Sequence, residues 1–183
     1  MTQGNCDDTI QWYAMSAPYR REMAAKRLLD EKGIENFLPM SYRIFTNSSG
    51  KKVRKQVPIV SNLLFAHASR RCLQEVKYGV PYLQYRTRPE RGRNVPITVP
   101  DRQMQQFIDV CADHNEQLMF LQPNEINLAK GTPVRVIGGA FDGVEGVFVK
   151  VKGVRSRRVV LHIEGIAVAI AEVEPQYIEV INK

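Results

Sequence analysis

The chain has 183 residues and a net charge of +7, and its 44% apolar and 25% charged residues are typical of a globular rather than a disordered protein. No stretch approaches the roughly 20 consecutive apolar residues of a transmembrane helix, and the first residues carry acids where a secretory signal carries bases, so a cytoplasmic location is expected. Cys6, Cys72 and Cys111 are widely spaced, which argues against a disulfide framework and a zinc site.

The positive charge is confined to the N-terminal part. Residues 1–112 hold 18 Lys and Arg against 10 Asp and Glu, whereas residues 113–183 hold 8 against 9. A basic excess attracts polyanions, and nucleic-acid phosphate is the commonest of these in cells. A solubilising surface is the alternative, because charge alone does not distinguish the two.

The first forty residues predict a strand, a helix and a second strand. Ile10–Met15 is rich in aromatic and apolar residues, which favour a half-buried strand. Tyr19–Lys32 repeats apolar residues at helical spacing, with Pro18 before it and Gly33 after it, and is predicted to be a helix. Ile34–Met40 then predicts the second strand.

An Asn-Ser-Ser-Gly turn at residues 47–50 predicts a hairpin, because it separates two short segments in which apolar and basic residues are interleaved. Lys51 and Lys52 lie at the predicted tip. The apolar run Val57–Ala66 predicts a central strand, and Ser69–Lys77 predicts a short helix that begins at a capping serine.

Three further elements complete the N-terminal half. Pro81–Arg86 alternates as a strand does, and Arg88–Arg93 predicts a basic loop. A helix is predicted after Val99-Pro100-Asp101, because apolar residues recur at positions i, i+3, i+4 and i+7. These apolar residues are Met104, Phe107, Ile108 and Cys111. Residues 8–112 are therefore predicted to form the first domain.

The C-terminal part predicts a second, all-β domain at residues 127–183, after a linker at residues 113–126. Its five short strands are rich in Val and Ile and lie at Thr132–Ile137, Gly143–Val151, Arg158–Ile163, Ile166–Glu172 and Tyr177–Ile181. So many short strands favour a small closed barrel, because closure removes exposed edges. The predicted fold class is α+β, with an N-terminal antiparallel sheet flanked by helices and a C-terminal five-stranded, SH3-like β-barrel.

No catalytic or cofactor motif occurs in the sequence. No histidine is separated from a cysteine or a carboxylate by a spacing typical of metal ligands. No nucleophile elbow, P-loop or dinucleotide fingerprint is present. The sequence therefore predicts no enzyme activity, no metal site and no cofactor. The most specific local feature is the glycine-rich turn Val136–Gly146, which predicts a tight hairpin.

Gly131–Val147 resembles a KOW motif, in which a strand, a glycine-rich turn with an aromatic residue and a G-x-x-G element follow one another. The residues that carry this resemblance are Gly138, Gly139, Phe141, Gly143 and Gly146. Trp12-Tyr13, the segment Lys32–Met40, the basic hairpin and the strand Pro58–Ala66 occur in the order of a NusG N-terminal domain. The chain from about Ile10 to Ile181 thus resembles the NusG family of transcription elongation and antitermination factors.

One segment departs from the family pattern. The family's Phe-Pro-Gly-Tyr falls on Val60-Ser61-Asn62-Leu63, so both aromatic residues and the Pro-Gly turn are missing. The departure indicates a specialised paralogue, of the RfaH type or of the UpxY type encoded with capsular-polysaccharide operons.

The resemblance implies that the N-terminal domain binds the clamp helices of the largest RNA polymerase subunit through an apolar patch. The implied patch residues are Val60, Leu63, Phe65, Tyr82 and Tyr85. Contact with upstream or non-template DNA, or with nascent RNA, is implied for the basic residues Lys51, Lys52, Arg54, Lys55, Arg70 and Arg71. The KOW domain is implied to bind a ribosomal protein or a termination factor. No heptad or long apolar edge indicates an oligomer, so a monomer without membrane contact is expected.

The predicted function is therefore antitermination or elongation at specific operons, by reduced pausing or termination. One alternative is a ribosome-associated KOW-type RNA-binding protein, although such a protein favours a basic barrel. Another is an RNA-processing module that binds single strands, although the sequence lacks the paired aromatic residues of an RNA-recognition sheet.

Overall fold

The computed structural model describes residues 8–113, 119–121, 130–150, 157–163, 166–169, 173 and 175–181. The chain divides into two units, Met1–Met104 and Gln105–Lys183. Among the described residues of the first unit, nine strands and three helices begin. The strands are β1 (Ile10–Ser16), β2 (Glu35–Phe37), β3 (Met40–Thr46), β4 (Lys52–Pro58), β5 (Leu64–Ser69), β6 (Gln84–Tyr85), β7 (Thr87–Glu90), β8 (Arg93–Pro96) and β9 (Thr98–Val99). The helices are α1 (Glu22–Glu31), α2 (Arg70–Tyr78) and α3 (Asp101–Asp113), and the boundary between the units lies within α3.

The main sheet of the first unit is antiparallel, with β5 and β1 at its centre. Its order is β2-β5-β1-β6. Strand β9 also pairs with β1, at Trp12 and Tyr13, on the edge that pairs with β6 further along the strand. Side chains alternate between the two faces of a strand. On one face Tyr13 and Leu64 belong to a buried cluster that includes Leu29 of α1 and Leu73 of α2. The two helices therefore cover the same face of the sheet.

The opposite face of the sheet is also buried at its centre. Ala14 of β1 lies opposite Phe65 of β5, which in turn lies opposite Phe37 of β2, so the three side chains share this face. Trp12 stacks on His67, with ring centroids 4.8 Å apart. Burial on both faces explains why the central segments Trp12–Met15 of β1 and Leu64–Ala66 of β5 are apolar throughout rather than alternating with polar residues.

The predicted strand at Ile10–Met15 and the predicted helix at Ser69–Lys77 are confirmed. The Ser69 hydroxyl accepts a hydrogen bond from the Cys72 amide and so caps α2. Helix α1 begins at Glu22 rather than at the predicted Tyr19. The reason is local, since Tyr19 and Arg20 have φ of 61° and 59° and lie outside the right-handed helical region.

The predicted strand Val57–Ala66 is wrong as a single element. Its first two residues end β4, the chain then turns, and β5 begins at Leu64. The turn contains Asn62, whose φ of 62° is left-handed and whose backbone amide donates to the carboxylate of Glu22. An apolar run predicted a straight strand here, and the left-handed residue divides it.

The predicted basic loop Arg88–Arg93 is instead the hairpin of β7 and β8. Its two-residue turn is Arg91-Gly92, with φ of 48° and 77°, which is the pair of positive values that a tight hairpin turn requires. The predicted strand Pro81–Arg86 shortens to β6. The hairpin signal of Arg-Gly is weak because arginine rarely adopts positive φ.

The second unit contains a six-stranded antiparallel sheet. Its strands are β10 (Met119–Leu121), β11 (Thr132–Val136), β12 (Glu145–Lys150), β13 (Arg157–Ile163), β14 (Ile166–Ala169) and β15 (Ile178–Val180). The order is β10-β14-β13-β12-β11-β15. All five strands predicted for this part are confirmed within the described residues, while the predicted strand ends at Val151 and at residues 170–172 lie outside them. Strand β10 is an additional strand from the segment predicted as a linker. The rest of that segment, from residue 114, lies outside the described residues, as does Cys6. The α+β class is thus confirmed, while the predicted limits 8–112, 113–126 and 127–183 stay predictions.

The glycines of the KOW-like turn have specific structural roles. Gly138 has φ of 94° and lies against the ring of Tyr177, and Gly143 has φ of 78°. Gly146 lies in β12, where a Cβ atom would come within 2.6 Å of the Val160 carbonyl oxygen. The turn therefore depends on glycine partly for its backbone conformation and partly for the close approach of β12 to β13.

We expect Gly146→Ala to destabilise the second unit by about 1–3 kcal/mol, because the added methyl group overpacks against backbone that cannot move without breaking the sheet. Amide hydrogen exchange at Val147 and Val160, which are paired across β12 and β13, should become faster. Gly79→Ala is the matched control, since its Cβ would meet nothing within 4 Å. Unchanged protection at both amides in Gly146→Ala would contradict the close approach.

Candidate nucleic-acid and docking surfaces

Strands β3 and β4 form a two-stranded ribbon that is separate from the main sheet; residues 40–58 are called the basic ribbon below. The strands pair from Met40 opposite Pro58 to Thr46 opposite Lys52. The Asn47 side-chain oxygen accepts hydrogen bonds from the Ser49 and Lys51 amides, at 3.1 and 2.8 Å, and thereby closes the turn. The predicted hairpin is confirmed, and its sequence of turn residues explains its register.

Both faces of the basic ribbon combine cations with apolar side chains. Tyr42 and Ile44 share a face with Arg54, whose guanidinium lies 4.0 Å from the centre of the Tyr42 ring. Ile44 is 70% exposed. Arg43 and Lys55 lie opposite each other on the second face. Since no acidic residue occurs between Glu35 and Glu75, the ribbon carries five positive charges and no negative one.

Four of the six predicted nucleic-acid-binding residues meet on the basic ribbon: Lys51, Lys52, Arg54 and Lys55. The other two do not join them. Arg70 and Arg71 begin α2, directly after the C-terminal end of β5, which pairs with Ile10. The basic ribbon instead precedes the N-terminal end of β5, which pairs with Met15. Arg71 also pairs with Glu75 at 3.6 Å. The predicted set is therefore divided between the two ends of the sheet.

The predicted apolar docking patch requires a correction. Leu63 and Phe65 are 0% exposed, so they belong to the core and cannot present a surface in this structure. Burying a side chain of this size stabilises a fold by about 1.5–3 kcal/mol relative to exposure, so exposing both would use a large part of a total stability of about 5–15 kcal/mol. Because both faces of β5 are covered, strand alternation could not reveal which side chains reach solvent.

Val60, Tyr82 and Tyr85, the other predicted patch residues, are half-buried. The Arg21 guanidinium lies over the Tyr82 ring, 4.9 Å from the ring centre. The Lys77 ammonium lies over the Tyr85 ring, 4.2 Å from the ring centre. Burial, and secondarily the nearby Arg70, lowers the pKa of Lys77. Each tyrosine thus combines a partly exposed ring with an adjacent cation.

The start of α1 brings several of these residues together. Arg21 lies over Tyr82, and the next residue, Glu22, is buried and holds the turn that contains Val60 and Asn62. Tyr19, two residues before Arg21, is 86% exposed. We name Tyr19, Val60 and Tyr82 the tyrosine surface. Sequence reasoning missed Tyr19 because its exposure follows from a left-handed backbone that no local motif indicates.

His67 lies between two carboxylates on the sheet face opposite the helices. Its Nδ1 is 2.6 Å from Glu35 Oε2, and its Nε2 is 3.6 Å from Asp101 Oδ1. No group of three or more side chains that could hold a metal ion occurs in the part of the chain that the structure describes. The cluster is compatible with a structural role, in which His67 joins β5 to β2 and to the start of α3.

Comparison with known proteins identifies the family. The sequence model described as "Transcription termination factor nusG" matches residues 10–108, more than half of the chain, so the chain belongs to the NusG family. NusG-family proteins are transcription factors, which is consistent with the predicted absence of enzyme activity. The family match spans the sheet, the basic ribbon and most of α3. No curated protein sequence matches the chain.

Two solved structures are similar to the chain. Thermotoga maritima NusG is 18% identical over 95% of this chain and 98% of that chain, with a TM-score of 0.44. A chain of the MjSpt4:Spt5 complex is 15% identical over 96% of this chain and 98% of that chain, with a TM-score of 0.26. Family membership rests on the sequence match and not on these two structures. Within the described ranges, no helix has the length and apolar character needed to cross a membrane.

We expect Asn62→Val to destabilise the first unit by about 1–2 kcal/mol, because a β-branched residue is disfavoured in the left-handed conformation that Asn62 adopts. Asn62→Gly is the control, since glycine occupies this conformation without steric penalty. Urea unfolding should give a lower midpoint for the valine variant than for the glycine variant, with equal m-values for the two variants. Equal midpoints would show that the turn does not depend on this conformation.

Proposed function

We propose that this NusG-family protein is a specialised elongation and antitermination factor that binds RNA polymerase through its N-terminal unit and reduces pausing or termination at particular operons. The protein acts by occupancy rather than by catalysis, because it holds the polymerase and the nucleic acid together. Capsular-polysaccharide operons are the proposed targets, since the departure at residues 60–63 indicates a specialised paralogue.

The observation that carries the proposal is the composition and exposure of the basic ribbon. It projects from the sheet, carries five cations without an acid, and interleaves them with Tyr42 and Phe45. Lysine and arginine provide phosphate contacts, and exposed aromatic rings can stack on unpaired bases. The ribbon is therefore suited to upstream or non-template DNA or nascent RNA near the polymerase.

Docking on the polymerase is proposed to use the tyrosine surface in place of the buried Leu63 and Phe65. Tyrosine and arginine are the residue types that most often dominate the energy of protein interfaces. Tyr19 and Tyr82 lie with Arg21 around the start of α1, where Tyr19 and Arg20 both have left-handed backbones. Strained residues of this kind cluster at functional sites, which favours the same location. The clamp helices of the largest subunit are the proposed partner.

The second unit is proposed to be a KOW domain that recruits a ribosomal protein or a termination factor. Its surface does not favour the alternative of a ribosome-associated RNA-binding protein. Arg135 is bound by Glu145 at 2.7 Å and lies 3.8 Å from Glu179, and the hydrogen bond and charge of Glu145 raise the pKa of this arginine. Acids thus neutralise a base on the sheet instead of leaving it for phosphate.

We expect Lys51→Gln combined with Lys52→Gln to weaken binding to DNA and to reduce its salt dependence. Each phosphate contact contributes about 0.9 to the slope of log affinity against log salt for duplex and about 0.7 for single strands. Fluorescence anisotropy over a salt series measures both quantities. Arg27→Gln with Lys32→Gln removes the same charge from α1 and its C-terminal cap and should change the slope little. Equal losses in the two double variants would indicate only a general charge effect.

We expect Tyr19→Ala and Tyr82→Ala each to weaken binding to purified RNA polymerase about tenfold or more, because the few residues that dominate an interface are enriched in tyrosine and cost about 2 kcal/mol or more when truncated to alanine. Tyr78→Ala is the control, since Tyr78 is 96% exposed but lies at the end of α2. Co-sedimentation with polymerase and with ribosomes provides the measurement. Retention on ribosomes but not on polymerase would contradict the proposed function and favour the alternative.

A further inference from the structure

A second basic hairpin, distinct from the basic ribbon, projects from the other side of the main sheet. Residues 86–96 include β7 and β8 and are called the arginine hairpin. All of its cations are arginines: Arg86, Arg88, Arg91 and Arg93. Arg88, Arg91 and Arg93 are exposed, and Arg91 is at the tip beside Gly92. Glu90 is its only acid.

The two hairpins leave the sheet at the same level. Phe37, the last residue of β2, lies in line with Phe65 and Ala14, and the basic ribbon begins three residues later. On the other edge Ala14 exchanges hydrogen bonds with the base of the arginine hairpin: its carbonyl accepts from Arg86 at 2.8 Å and its amide donates to Ile97 at 3.0 Å. Three strand spacings, about 14 Å, therefore separate Phe37, three residues before the basic ribbon, from the base of the arginine hairpin.

Glu90 offsets the positive charge of only some of the arginines in the arginine hairpin. Strand alternation places Arg88, Glu90 and Arg93 on one face, where Glu90 lies directly opposite Arg93 and 3.5 Å from the Arg88 guanidinium. The carboxylate thus offsets part of the charge of its neighbours. Arg91 projects beyond this group.

We propose that the arginine hairpin is a second phosphate-binding surface, which contacts nucleic acid at a point separate from the basic ribbon. Arginine presents a planar fork of N–H donors that binds phosphate oxygens in a bidentate manner, so a hairpin with only arginines favours phosphate over a diffuse charged surface. The proposal rests on the proposed nucleic-acid function of the ribbon. It adds that binding is divided between two projections on opposite edges of one sheet.

The test compares two variants with opposite expected effects. Arg91→Gln with Arg93→Gln should lower the salt slope for duplex DNA by up to about 1.8, which is two phosphate contacts. Glu90→Gln should strengthen binding at low salt by a few-fold, because it removes the charge that opposes phosphate. A gain of affinity cannot result from misfolding. The probes are a fluorescein-labelled DNA duplex and the corresponding single strand, and Arg27→Gln with Lys32→Gln is the charge-matched control.

Combining the arginine-hairpin variant with the ribbon variant, Lys51→Gln with Lys52→Gln, tests the two surfaces separately. If both hairpins bind the same nucleic acid at distant points, the losses of the ribbon and arginine-hairpin variants should add. Loss in the ribbon variant alone would overturn the arginine hairpin as a phosphate site and leave the proposed function intact. If neither variant lost affinity for DNA, both the arginine hairpin as a phosphate site and the proposed nucleic-acid function of the basic ribbon would be overturned. Unchanged DNA binding with weaker polymerase binding would also overturn it, because the hairpin would then contact an acidic protein surface.

Discussion

The hydrogen bonding of β1 along both of its edges is the constraint on which the N-terminal unit depends. One edge of β1 pairs with β5, and the other pairs with β6 and β9 and holds the base of the arginine hairpin at Ala14. Through β5 the same strand also fixes the level of β2, from which the basic ribbon follows. A rigid central strand therefore sets the spacing between the two basic projections, while each projection is itself a ribbon exposed on both faces.

Burial of the sheet on both faces determines where a partner can bind. Phe65 on one face and Leu64 on the other are fully buried, so β5 offers no apolar side chain to a partner. The exposed aromatic residues lie outside the sheet, at Tyr19 before α1, at Tyr42 and Phe45 on the basic ribbon and at Tyr78 at the end of α2. Recognition by this protein is thus proposed to lie on the connections between elements, and the sheet provides their support.

Residue patterns predicted the elements whose stability is local. The capping serine of α2, the Asn47 turn and the Val- and Ile-rich strands of the second unit all have short-range signals, and each was confirmed. The errors share a different cause. Asn62 and Arg91 adopt left-handed conformations stabilised by tertiary contacts or by the turn itself, and residue type alone rarely indicates such a conformation. Exposure at the candidate site was equally hidden, because burial of Leu63 and Phe65 depends on coverage of the second face of the sheet.

The departure from the family pattern at residues 60–63 acquires a physical interpretation from the turn. Asparagine, like glycine, tolerates the left-handed conformation, so Asn62 forms a turn at the position where the family pattern has glycine. The carboxylate of Glu22 then holds the Asn62 amide and links this turn to the start of α1. The aliphatic Leu63 fills the core, and the partly exposed Tyr82 lies beside Arg21 at the same helix start. Asn62 and Glu22 thus fix the turn beside the start of α1, and the contact with the polymerase is proposed to lie there, at Tyr19 and Tyr82, rather than at the buried Leu63.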